Sequence, residues 1–166
     1  GDLIIFVSSD EFCHTIGLPH NMGSSSAYPV DSLRSATFTK KYGTSPSIMD
    51  YARFNYVAQP GDEGVALMPS QWNTPNVGVY DIYSVKWGYK PILDVSVEEE
   101  KSILKSWIME KANDLKYRFG SAGIDPSSQT EDLGDDAVKA SEYGIANLKR
   151  IMPKLMEWTT KDGETY

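Results

Sequence analysis

Ser8–Gly23 reads SSDEFCHTIGLPHNMG, and the spacing of its polar residues decides what the rest of the chain has to build. Residues four apart on a helix share a face, so Asp10 and His14 project together, while Glu11 lies on the adjoining face. Gly17 can adopt a backbone conformation that most residues avoid, which turns the chain sharply and lets His20 fold back toward the same point. Three side chains from two short segments then converge. Imidazole nitrogen and carboxylate oxygen suit a zinc ion in a tetrahedral set with one position open to water. His14 and His20 are the only histidines in the chain, and both fall within this stretch. Between them, the single Cys13 reads as a small buried hydrophobe on the helix, and one cysteine can form no intrachain disulfide.

Working outward, the segment before this stretch, DLIIFV at residues 2–7, is β-branched enough for a strand, but the stop at Gly17 favours a helix that ends there. A run rich in Ser, Gly, Pro and Asn follows from Asn21 to Pro46, with one short helix expected after Asp31, which would cap it. NVGVYDIYSVKWGY, residues 76–89, spaces Val79, Ile82, Tyr83 and Lys86 at helical steps and predicts a short buried helix closed by Gly88. Ser96 with Glu99 forms a capping box that opens a helix carrying Ile103, Leu104, Trp107 and Ile108 as one apolar stripe. Residues 120–134 read as a loop. Asp135 or Asp136 caps a last helix whose apolar face is Val138, Ile145, Leu148, Met152 and Leu155, and Pro153 should kink or split it. Trp72, Trp87, Trp107 and Trp158 read as core or interface residues, and the tail TTKDGETY as frayed. No reliable set of strands emerges, so the fold expected is mainly α with long loops.

The chain as a whole sets further bounds. Its 166 residues are enough for one core of ordinary size. A net charge of −7 with acidic and basic residues interspersed offers no basic stripe for a phosphate backbone, so nucleic acid is not the expected partner. The longest apolar run, LIIFV, is too short to cross a bilayer, and no charged segment precedes it as in a signal peptide.

At this point a family resemblance enters. The run Asp10 to His20 resembles the metzincin signature H-E-x-x-H-x-x-G-x-x-H, with Glu11, His14, Gly17 and His20 in place. SIMDY, Ser47 to Tyr51, resembles the methionine turn that follows it, with Met49 in the position that floors the metal site. GLPHNMGSSSAYPVDSLR, SIMDYARFNYVAQPGD, YDIYSVKWGY and EYGIANLKRIMP are together similar to large zinc-dependent metalloproteases of Bacteroidetes and their relatives.

The resemblance implies a mainly α, metzincin-like lower, C-terminal subdomain. Residues 1–60 would hold the active-site helix, the zinc-motif loop and the methionine turn, and residues 61–166 a helical C-terminal part. The upper β-sheet subdomain would be absent, either because the chain is a fragment or because its gene is truncated. It implies zinc held by His14, His20 and Asp10, with Glu11 as the general base, Tyr51 swinging toward the metal, and Asn21 and Asp50 orienting ligands. Peptide or protein substrates and a secreted or periplasmic location go with it. One departure stands out, since Asp10 occupies the place of the first histidine. Two outcomes stay open: a working carboxylate ligand, or a site without metal in a catalytically inactive binding or structural subdomain. A face left without its sheet also implies self-association, or a rearranged LIIFV segment.

Overall fold

The computed structural model describes residues 1–52, 54–68 and 77–163. Among these residues six α-helices, α1 Asp2–Thr15, α2 Ala36–Tyr42, α3 Val79–Tyr89, α4 Val97–Lys111, α5 Ala137–Ile151 and α6 Leu155–Thr159, are joined by long loops and short 3-10 turns. Among the described residues there is no strand, and no helix long and apolar enough to cross a membrane. Trp72, and the last three residues of the tail, lie outside the described residues.

Helix α1 resolves the ambiguity of DLIIFV in favour of helix. Its buried side chains are Phe6, Asp10 and Cys13, spaced by four and three residues so that they form one stripe. The helix ends in a Schellman arrangement: the Leu18 N–H donates to the Cys13 carbonyl at 3.1 Å and the Gly17 N–H to the His14 carbonyl at 2.9 Å, with Gly17 at φ +89°. Leu18 and Cys13 pack in the same apolar cluster, which locks the reversal. No rearrangement of the amino-terminal segment occurs. Leu3, Ile4 and Val7 on α1 are exposed.

Two apolar clusters form the core. One gathers Phe6, Cys13, Leu18, Ile48, Met49 and Met68; the other gathers Tyr28, Val30, Leu33, Val57, Leu133 and Ala140, with Ala52. The Ser47–Ala52 segment therefore runs from one core into the other. Since burying each such side chain contributes roughly 1.5–3 kcal/mol, this segment is anchored at both ends. Buried loops need partners for their peptide groups, and amide side chains supply them. The Asn55 amide donates to the carbonyls of Leu33 and Ala66, and the Asn147 amide to those of Tyr56 and Ala58.

Several sequence expectations are corrected. Asp31 caps no helix: it lies inside the 3-10 turn Val30–Arg34 and pairs with Lys139, while Ser35 caps α2 by accepting from the Phe38 N–H. Helix α3 runs through Gly88, and its buried residue is Asp81, whereas Val79 and Ile82 are exposed. Helix α4 opens on the expected Ser96–Glu99 box but stops at Lys111, and its apolar residues are no more than half-buried. Asp136 caps α5, and the chain breaks at Pro153 into a 3-10 turn before α6. The apolar face assigned to α5 is nonetheless exposed; Ala140 is its buried residue, Gly144 meets the Tyr56 ring, and Asn147 bonds the loop below. Trp87 and Trp158 are exposed and Trp107 is half-buried beneath Lys86 and Lys90, so none of the described tryptophans is a core residue.

Candidate metal centre

Helix α1 carries Asp10 and His14 one turn apart, and the Schellman reversal at Gly17 returns the chain so that His20 meets them. Ligand atoms of Asp10, His14 and His20 all lie within 4.8 Å of one another. His14 Nε2 is 3.8 Å from Asp10 Oδ2. The two imidazole rings stand perpendicular with centroids 4.4 Å apart, and the Tyr51 ring lies 4.3 Å from that of His20.

The protonation pattern follows from the partners. His14 Nδ1 lies 2.9 Å from the Leu18 carbonyl and His20 Nδ1 3.3 Å from the Met49 carbonyl. A carbonyl only accepts, so each Nδ1 must carry the hydrogen, and in the neutral ring Nε2 keeps its lone pair. Fixing one ring nitrogen by a backbone carbonyl is how proteins aim the other at a metal.

Asp10 completes a donor set that fits a divalent cation. The side chain is almost fully buried, and its Oδ1 has no hydrogen-bond partner among the described residues. A buried carboxylate oxygen without a partner is costly unless a positive charge faces it. Burial pushes the Asp10 carboxyl above its ordinary range; the neighbouring His14 and His20 pull it down, and Glu11 pushes it up. Two nitrogens and one carboxylate oxygen match zinc's preferred ligands. Glu11 is exposed on α1 beside Asp10.

The methionine-turn segment lies under this cluster. Met49 and Ile48 are buried in the same apolar group as Cys13 and Leu18, which flank His14 and His20 in the chain. The Asn21 N–H donates to the Met49 carbonyl at 2.9 Å, and the Asn21 side chain bonds the Arg118 carbonyl and the Gly120 N–H. Asp50 is fully buried and accepts from the Ser25 N–H, and burial pushes its carboxyl up to about 8.

A family model described as Met-zincin matches residues 1–166, the full length of the chain. The chain belongs to the Met-zincin family. No curated protein and no solved structure matches it. Membership makes this a metzincin-type, zinc metallopeptidase-like domain, and the family implies zinc.

Within this Met-zincin chain, two contributors to the site leave no distinctive mark in the sequence pattern. Asp81 takes three hydrogen bonds, from the Ser47 hydroxyl and from the Ile48 and Gly78 N–H groups, and so ties α3 to the methionine turn. An acid at the third position of a helix looks like an ordinary cap, which hid this role. The Leu18 carbonyl was also invisible, because a backbone acceptor leaves no mark in side-chain spacing.

Proposed function

We propose that Asp10, His14 and His20 bind zinc and that the chain carries the hydrolytic centre of a peptidase acting on peptide or protein substrates. The observation that carries this reading is the convergence of ligand atoms from Asp10, His14 and His20 within 4.8 Å, beside backbone bonds to both Nδ1 atoms that leave each Nε2 free to ligate. Bound zinc would polarise a peptide carbonyl and make water acidic enough to attack near neutral pH. The chain's own residues do the rest. His14 and His20 are held in one tautomer by the Leu18 and Met49 carbonyls. Glu11, exposed on the helix that carries Asp10 and His14, would take the proton from the attacking water and pass it to the leaving amine. Tyr51, whose ring lies tilted against that of His20, would offer its phenol to the substrate oxygen.

A second reading rests on Asp10 itself. A carboxylate in place of an imidazole adds negative charge to the centre and weakens the pull on water. It favours a binding or structural subdomain of a larger protein in which hydrolysis is lost. The two readings separate in one experiment: zinc content of the purified chain and of the Asp10→His and His20→Ala variants, measured beside hydrolysis of a peptide library. Stoichiometric zinc in the wild type, lost in His20→Ala, supports the metal centre. Zinc only in Asp10→His identifies a site that no longer binds it.

Self-association goes with either reading, because α1 exposes Leu3, Ile4 and Val7. Sedimentation of the chain over a range of concentrations tests it, and a monomer at every concentration would count against it.

A further inference from the structure

We propose that Asp81, which ligates nothing itself, is a positioning residue for His20, acting through the Ser47 hydroxyl and the backbone of Met49. The inference builds on the metal-centre reading above. Asp81 projects from the first turn of α3 and is 1 % exposed. Its Oδ1 accepts from the Ser47 hydroxyl at 2.5 Å, and its Oδ2 from the Ile48 N–H and the Gly78 N–H, both at 2.8 Å. A helix cap alone would need only the Gly78 bond; the other two donors come from the methionine turn.

The bonds continue past Asp81 in one direction. With its hydrogen given to Asp81, the Ser47 oxygen faces the Met49 N–H and accepts from it at 3.1 Å. The opposite end of the same residue, the Met49 carbonyl, receives the Asn21 N–H at 2.9 Å and His20 Nδ1 at 3.3 Å. Met49 is thus held by its N–H from α3 and presents its carbonyl to the ligand imidazole. The coupling is one of position: the Met49 N–H and carbonyl belong to successive peptide groups joined at one Cα, so fixing the first limits where the second can point. His14 does not share this arrangement, since its Nδ1 bonds the Leu18 carbonyl within the helix reversal. The two histidines therefore depend on different supports.

That difference supplies the test. Asp81→Asn keeps the shape but offers an amide donor where Ser47 needs an acceptor. Ser47→Ala removes the relay while keeping the Asp81 bonds to the Ile48 and Gly78 backbone, so the turn stays attached to α3. Imidazole tautomers are read by nitrogen NMR on the metal-free chain, and zinc affinity by competition with a chromophoric chelator. The expected result in both variants is a His20 that shifts from the Nδ1-protonated form toward a mixture while His14 stays unchanged. Zinc affinity should fall about 10-fold, the low end for losing a group that orients a ligand. An unchanged His20 tautomer in a folded Ser47→Ala variant would overturn the proposal, whatever Asp81→Asn does. A wild-type chain that binds no zinc would instead overturn the metal-centre reading, and the tautomer measurement would still decide the role of Asp81.

Discussion

Asp10 and Asp50 are both buried carboxylates, yet they answer to different partners. Asp10 faces two imidazoles, so its burial is tolerable when a cation completes the group; an oxygen without a hydrogen-bond partner among the described residues is common to both carboxylates. Asp10→Ala should lower zinc affinity by at least about 10-fold, because one of the three proposed ligands is gone and the neighbouring imidazoles lose their anionic partner; chelator competition reads it. Asp50 faces Ser25, Ser45 and Asp132 instead, and burial holds its carboxyl at about 8 against an ordinary 3.8. The folded chain then keeps a proton that the unfolded chain releases, so stability falls as pH rises from about 4 to about 8 and levels off above that. At roughly 1.36 kcal/mol per unit, the loss is bounded at about 6 kcal/mol. Asp50→Asn removes this dependence. Urea unfolding at several pH values should show the variant gaining on the wild type toward pH 9. Asp10, Asp81 and Asp132 are raised in the same direction, so a shallower slope remains in the variant.

Elements that carry their own local signal were readable in the sequence, and those set by tertiary contact were not. The Ser96–Glu99 box is made as expected, with the Glu99 carboxylate accepting from the Ser96 N–H at 2.8 Å. Ser96→Ala should cost about 1 kcal/mol, seen as faster amide exchange confined to the first turn of α4. The Asp10–His14–His20 convergence was readable too, since helical spacing and one left-handed glycine determine it. Helix α3 was misread because its periodicity pointed to Val79 and Ile82, whereas the body of the protein takes hold of it through a buried acid. The α5 face was misread for a related reason: small Gly144 and polar Asn147 make its contacts, and apolar periodicity ignores both. Gly78 shows how close the α3 contact is. A Cβ there would sit 1.6 Å from the Pro46 carbonyl oxygen, although its φ of −74° is open to any residue. Gly78→Ala should therefore destabilise through crowding alone, by about 3 kcal/mol or more, in urea unfolding. It should also weaken zinc binding, since α3 would be pushed off the methionine turn.

At the scale of the molecule, the candidate centre sits where separate parts of the chain meet and are tied by long-range backbone and side-chain bonds. Helix α1 brings Asp10 and His14, the reversed loop brings His20, and the methionine turn joins the two apolar clusters beneath them. A cation bound by all three ligands favours the folded arrangement, because the unfolded chain cannot gather donors from positions 10, 14 and 20 at fixed distances. At a free zinc concentration 100 times the dissociation constant, the gain is about 2.7 kcal/mol. For a chain of this size that corresponds to a rise in melting temperature of roughly 5–10 °C. The rise should disappear with a chelator and in His20→Ala. It should persist in Glu11→Gln, because the exposed base is not among the three donors that hold the ion. A shift that survives His20→Ala would place the zinc somewhere other than this cluster. A shift lost in Glu11→Gln would make Glu11 a ligand and remove it from the role of base.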